Sequence, residues 1–333
     1  MRTINVVGRY YTDTLHRQLP DGNSHLDGWK FLLNDYESPC DYLVVVDNLP
    51  HKMVPKCTLE NIIHLATEPP SVRKYHKIFL DQFAWVITQD PDIEHSAAIH
   101  SHPANTWFIG FNPREAESVV INEFCQVKPL FDLPKSKNIS IVSSTKDLTP
   151  SHIKRLSFAQ RLKEYYGDRI DFYGRGVLTM HDKLESLSDY RFQVVIENSV
   201  HEHYFTEKIT DCILAGTYPI YYGCPNISDY LPDNSYTTID INDFEGAIAT
   251  INYAINNDID RKYRKELLEA RDLLLYKHNI FPMLTDMINR IEKGEFGKPQ
   301  IPKLYGGKML SYRCAGYYLR RELDSFLRWC NLR

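Results

Sequence analysis

The residues best suited to chemistry lie close together between Phe192 and Pro225, in the stretch FQVVIENSVHEHYFTEKITDCILAGTYPIYYGCP. The apolar run from Arg191 reads as a strand that ends in Glu197-Asn198-Ser199. A short polar loop leads to Tyr204, and Thr206 caps a helix over 206–215 that Gly216 stops. A helix N-terminus presents unpaired N–H groups and the positive end of a dipole, and Lys208 in the first turn adds a full charge to meet a phosphate. Glu207 and Asn198 can accept hydrogen bonds from ribose hydroxyls, and Tyr204 can pack on a sugar or a base. The same text also fits a plain strand-loop-helix unit whose Glu and Lys are solvated surface residues. A second pattern is D-x-D. Asp90-Pro91-Asp92 follows a strand-like run, and carboxylates at i and i+2 can hold a divalent ion against a diphosphate. The pattern is weak, because Asp258-Ile259-Asp260 matches it equally well.

Such residues need a scaffold, and the alternation of apolar runs with polar loops predicts an α/β one. In the first 125 residues, Tyr42–Val46, Asn61–Ala66 and Phe83–Thr88 read as buried strands, each followed by a polar or Pro-containing turn. The ends of such strands are where open α/β sheets place ligands. The Pro- and Lys-rich text KPLFDLPKSK, 128–137, is the expected linker. A second run follows: a strand at Ile139–Ser144, a helix over Pro150–Tyr166 with Ile153, Leu156, Phe158 and Leu162 at helical spacing, then strands at Ile170–Gly174, Arg191–Glu197 and Tyr218–Gly223. Helical text extends from about Phe244 to Ile291. Two doubly wound halves fit a chain of 333 residues.

Composition narrows the class. With 43% hydrophobic and 25% charged residues the chain is globular, not collagen-like, disordered or coiled-coil. A net charge of −4 argues against a general nucleic-acid binder. Tyrosine is over-used, 22 against 15 Phe and 4 Trp, which suits a surface that grips hydroxylated ligands as well as the rim of a core. Seven scattered cysteines without a C-x-x-C pair read as reduced thiols, and the sequon Asn138-Ile139-Ser140 then as chance. The N-terminus has no charged and apolar leader pattern, and no run reaches the ~18 apolar residues of a membrane span. A cytoplasmic protein is expected. The tail from 303 to 333 carries Lys303, Lys308, Arg313, Arg320, Arg321, Arg328 and Arg333 against Glu322 and Asp324, with Leu319, Leu323, Phe326 and Cys330 at helical spacing. It reads either as a terminal helix packed on the body or as a peripheral contact with an anionic membrane on its inner face.

The 192–225 stretch resembles the signature of glycosyltransferase family 10, the α-1,3/4-fucosyltransferases: a strand, ENS or ENT, a short loop, Y-x-T-E-K, a helix, then A-G-x-x-P-I/V-Y/V-x-G-x-P. Upstream, Asp171-Phe172-Tyr173-Gly174-Arg175-Gly176 resembles the family's D-x-Y/G-G-R segment. Ser143-Ser144 with Arg155, Phe158 and Leu162 resembles its S-N…R-x-x-F-x-x-x-L segment, with Ser144 where Asn is commoner. The resemblance covers about 138–235; the first half shares only its layout.

It implies a GT-B type fold, two Rossmann-like domains facing across a cleft, with an acceptor domain at 1–128, a nucleotide-sugar domain at 129–300 and the basic tail at 301–333. It further implies inverting transfer of L-fucose from GDP-β-L-fucose to a glycan hydroxyl, in an α-1,3-type linkage. The acceptor would be an oligosaccharide or a lipid-linked glycan; neither nucleic acid, metal nor other cofactor is required. Carried over, Arg155 and Lys208 hold the diphosphate, and Asn198, Tyr204 and Glu207 contact the nucleotide and its ribose. The catalytic base is a Glu at the end of an N-domain strand. Glu68, after Ile62-Ile63-His64-Leu65-Ala66-Thr67, has that setting, with Asp47 and Asp90 as rivals. His64 and His203 are read as chance occurrences among 13 histidines. The spacing of ten between Glu197 and Glu207 favours inversion over the two-Glu pattern, eight apart, of retaining enzymes. The competing readings are a metal-dependent D-x-D transferase using a UDP-sugar, and a non-catalytic glycan- or nucleotide-binding protein on a degenerate transferase fold.

Overall fold

The structure, a computed structural model, describes residues 1–8, 13–20, 24–48, 53–111, 121, 123–143, 150–174 and 177–304. Ser144, Arg175, Gly176 and tail residues 305–333 lie outside them. The chain forms two compact units, Met1–Ala104 with Phe281–Arg333, and Asn105–Ile280.

The first unit is built on a seven-stranded sheet of β1 (Arg2–Gly8), β2 (His25–Leu26), β3 (Trp29–Leu33), β4 (Tyr42–Val46), β5 (Ile62–Leu65), β6 (Trp85–Thr88) and β7 (Ala98–His100), in the order β2-β3-β1-β4-β5-β6-β7. Among the described strands only the β2–β3 hairpin is antiparallel. All five residues of β4 and all four of β5 are buried, as expected of parallel strands covered on both faces. His64 on β5 belongs to this core. Its ring lies 4.7 Å from Tyr75, 5.2 Å from Phe79 and 5.0 Å from Phe83, the second of these on the short helix α1 (Lys77–Leu80).

The second unit carries an all-parallel sheet of β8 (Lys137–Val142), β9 (Ile170–Tyr173), β10 (Tyr190–Ile196), β11 (Tyr218–Tyr222) and β12 (Thr237–Thr238), in the order β12-β11-β10-β8-β9. From β8 the chain passes through α2 (Pro150–Tyr166) to β9 on one side. From β10, on the other side of β8, it passes through α3 (Glu207–Leu214) to β11. The order therefore reverses between β8 and β10, and there the connections leave the strand ends in opposite directions. This is the switch point at which open parallel sheets bind ligands. The predicted continuous helical text divides into α4 (Phe244–Asn256), α5 (Ile259–Lys262), α6 (Arg264–Tyr276) and α7 (Ile280–Glu292).

The units divide elsewhere than at the expected 128/129 and 300/301 boundaries. The 128–137 text is embedded in the second unit. Phe131 is buried beneath the guanidinium groups of Arg264 and Arg271. Lys135 donates to the carbonyls of Leu187, Ser188 and Ala215 at 3.3, 2.9 and 2.6 Å. Gly216, at φ +67°, lies so close to the Phe131 carbonyl that a Cβ there would overlap it. The passages between units are instead at 104/105 and 280/281, where Asn105 and Asn279 form a parallel bridge. After the second passage the chain rejoins the first unit. Phe281 meets Phe31 edge-on at 4.8 Å, Asn289 accepts from Trp29 Nε1 at 3.3 Å, and the Gln300 and Lys303 amides donate to Ala84 and Asp81.

Candidate functional site

The segment 192–225 folds at the switch point. The Glu197 amide extends the β10–β11 ladder by one bond, donating to the Tyr222 carbonyl at 2.9 Å, and leaves its side chain at the C-terminal edge of the sheet. Gly223 makes room for it, since a Cβ there would collide with the Glu197 side chain and the Tyr221 phenol. The Glu197 side chain is fully buried. Its carboxylate accepts from the Thr206 amide at 2.9 Å, from Thr206 Oγ1 at 2.8 Å and from Lys208 Nζ at 3.1 Å. Thr206 is in turn the N-cap of α3, accepting from the Lys208 amide. One buried carboxylate thus fastens the start of α3 to the end of β10.

Charge is dense here. Lys208 Nζ lies 2.9 Å from Thr206 Oγ1 and 3.4 Å from Glu207 Oε1, besides its contact with Glu197. Lys183 Nζ is 2.7 Å from Asp211 and 3.6 Å from Glu207. Burial pushes the Glu207 carboxyl up, but the ammonium groups of Lys208 and Lys183 and hydrogen bonds from Thr206 and Lys208 outweigh it and bring the pKa to about 2. For Lys208 the penalty of burial is likewise overcome, chiefly by Glu197 and Glu207, and its pKa is raised. Asp211 also accepts from the Phe108 and Ile109 amides at 2.8 and 3.3 Å, and burial raises its pKa despite Lys183.

Arg155, from α2, is only 7% exposed. It donates through one terminal nitrogen to Asn198 Oδ1, and its Nε is buried without a hydrogen-bond partner among the described residues. Burial lowers its pKa, opposed by Glu197, Glu207 and Tyr204, yet a guanidinium stays charged. The hydroxyl of Ser143, the residue after β8, is also buried with no partner among the described residues. Since native structures pair most buried polar groups, these two atoms represent unspent hydrogen-bonding capacity at the edge of the sheet.

Arg155, Asn198, Tyr204, Glu207 and Lys208 all come together in the second unit. The Asn198 carbonyl, read as a ribose acceptor, is engaged by Arg155. Tyr204 is 3% exposed, so its ring is enclosed rather than offered as an open platform. Glu68 belongs to the first unit, three residues beyond β5, with an exposed side chain and a carbonyl that accepts from Gln89 Nε2 at 2.7 Å. Its rival Asp47 is taken up locally, accepting from the Thr67 amide at 2.8 Å and from the hydroxyls of Thr67 and Tyr75. Asp90 accepts from the Asp92 amide at 3.0 Å in a local turn. Asp258 and Asp260 clamp Arg191 at 2.6 and 2.5 Å. Sequence reasoning placed Glu197 at the strand end and Thr206 at the helix cap without giving either a part in the cluster, and it did not single out Lys183 or Asp211. Glu197 was detectable, as the carboxylate that directly follows the apolar run Val194-Val195-Ile196 at the end of β10. Lys183, on a single 3-10 turn over Lys183–Ser186, has no local signal.

Residues 134–265 match the family model described as glycosyltransferase family 10 (fucosyltransferase) C-term. Alpha-(1,3)-fucosyltransferase B of Drosophila melanogaster is 34% identical over 106 residues, 31% of this chain and 24% of that protein. GDP-fucose protein O-fucosyltransferase 3 of Bos taurus is 36% identical over 80 residues, 23% of this chain and 16% of that protein. The similarity thus spans a quarter or less of either relative's length. A crystal structure of an alpha1,3-fucosyltransferase superposes with a TM-score of 0.50 and 17% identity, covering 91% of this chain and 93% of that one. At that identity the likeness speaks for the fold, which is of the GT-B type with two Rossmann-like domains.

Proposed function

We propose, from the premise that residues 134–265 form the C-terminal domain of a family 10 glycosyltransferase, that the chain moves L-fucose from GDP-β-L-fucose to a hydroxyl of a glycan acceptor, with inversion and in an α-1,3-type linkage. One observation carries the reading. Arg155, Asn198, Tyr204, Glu207 and Lys208 all fall inside the matched segment and meet where β8 and β10 part.

In such a transfer the acceptor oxygen bonds to the anomeric carbon as the bond from that carbon to the β-phosphate oxygen breaks. The acceptor proton passes to a carboxylate base, and GDP departs with added negative charge. Arg155, with its unpaired Nε, and the N–H groups at the start of α3 suit the leaving group. Glu207, held ionised by two ammonium groups, is fit to accept from sugar or ribose hydroxyls. Glu68 is our assignment for the base. We further propose a cytoplasmic enzyme whose segment 303–333 contacts an anionic membrane.

The test is donor consumption across a panel of GDP- and UDP-sugars, with oligosaccharide, lipid-linked and protein acceptors. GDP-fucose should be consumed without added metal; consumption of a UDP-sugar alone, and only with Mn²⁺, would overturn the reading. Glu68→Gln should bind GDP-fucose normally while turnover falls about 100-fold or more. Near-normal turnover would remove Glu68 from the role and pass it to Asp47 or Asp90.

A further inference from the structure

The loop between Asn198 and Thr206 carries Tyr204 and delivers the chain to the cap of α3, so its conformation governs both. It closes through a hydrogen bond from the Tyr204 amide to the His201 carbonyl at 3.2 Å. This turn holds His203 at φ +64°, a left-handed conformation that costs a residue with a Cβ and that glycine would adopt freely.

The His203 side chain supplies what glycine could not. The His203 amide donates to Asn226 Oδ1 at 2.7 Å, while its ring Nδ1 lies 2.6 Å from the Tyr230 hydroxyl and 3.1 Å from Asn226 Nδ2. Because Oδ1 of Asn226 accepts from the backbone, Nδ2 is the donor. His203 Nδ1 is therefore the acceptor, and the neutral ring carries its proton on Nε2. Asn226 is itself held, donating to Asp229 at 2.9 Å and accepting from Cys224 Sγ at 3.2 Å. The Tyr230 ring also packs against Phe205 at 4.9 Å and His278 at 5.4 Å. One tyrosine thus touches the residues on both sides of Tyr204.

We propose that His203 is a positioning residue, whose lock onto Asn226 and Tyr230 holds Tyr204 and the Thr206 cap in the arrangement that binds the donor. This rests on the reading of the β8/β10 edge as a GDP-fucose site. His203 need not touch the donor; it acts through Tyr204 and through the N-terminus of α3.

Two variants separate the side chain from the backbone. His203→Gly keeps the left-handed turn and deletes the ring, and Tyr230→Phe deletes the hydroxyl but keeps the surface under Phe205. In the ligand-free full chain, amide hydrogen exchange at Tyr204 and Phe205 should quicken about tenfold in both. The Kd for GDP and the KM for GDP-fucose should rise about five- to twentyfold, with kcat within about threefold, and the double variant should be no worse than either single one. Exchange within twofold of wild type in both variants overturns the proposal. So does faster exchange with an unchanged GDP Kd, which would leave His203 a role in loop order alone. Failure of the wild-type chain to bind GDP sinks the donor reading instead, and with it the donor-binding purpose of the lock, while exchange still reports whether the lock exists.

Discussion

Lys208 meets two carboxylates before any phosphate arrives. Among the described residues, Arg155, Lys183 and Lys208 stand around it against Glu197, Glu207 and Asp211, three cations to three carboxylates. The cluster is charge-balanced as it stands, so a diphosphate would be met by directed donors rather than by a net positive field. Glu197 is the pivotal member, since its side chain is fully buried while that of Lys208 keeps 23% exposure. Removing one partner of a buried pair strands the other. Glu197→Gln should therefore cost about 2–4 kcal/mol in urea unfolding. Lys208→Met should also destabilise, and the double variant should recover part of the loss. A Glu197→Gln midpoint equal to wild type would show that the pair contributes nothing to folding.

At the scale of elements, α3 is the device that turns these side chains into a site. Its eight residues begin at a cap that is also bonded to Glu197. Thr206→Ala removes both the cap and the anchor and should cost about 1–2 kcal/mol, whereas Thr206→Ser should retain most of the stability; equal losses in the two would point to the methyl group instead. The cap, the strand before it and the helix Pro150–Tyr166 are legible in the sequence because each rests on local signals: an apolar run, a Thr before an amphipathic stretch, helical spacing. Single residues start and break the long helical text at 244–291. Asp243 starts it by capping α4 through the Gly246 amide, and the break comes at Asp258, which at φ +46° resets the chain between α4 and α5. What escaped has only distant causes. KPLFDLPKSK has the composition of a linker, yet Phe131 and Lys135 are anchored by residues 50 to 140 positions away. The return of 281–304 to the first unit likewise depends on Phe31, Trp29 and Ala84, which no window around residue 290 contains.

At the scale of the whole molecule, each unit buries a histidine that must stay neutral. Burial, with Arg73 adding to it, lowers His64 to about 3 in the first unit, and burial with Lys277 lowers His278 to about 4 in the second. Unfolded histidine titrates near 6.5, so between that value and the folded pKa the unfolded chain binds more protons. Stability must then fall as the pH drops below about 6.5, by up to ~1.4 kcal/mol per pH unit for each group. Glu207 acts later. With its folded pKa depressed to about 2, its contribution is complete above about 4.5 and is lost only as the pH falls from there toward 2. Acid unfolding should therefore begin with the histidines, well before the charged cluster at α3 is titrated. Urea unfolding at pH 7 and pH 5 tests this. Wild type should lose roughly 2 kcal/mol per buried histidine over that interval. His64→Leu, which places an apolar side chain among Tyr75, Phe79 and Phe83, should remove the share that belongs to His64 and leave that of His278 in place. If His64→Leu and wild type decline in parallel, the charge on His64 is not what acid contests in that core.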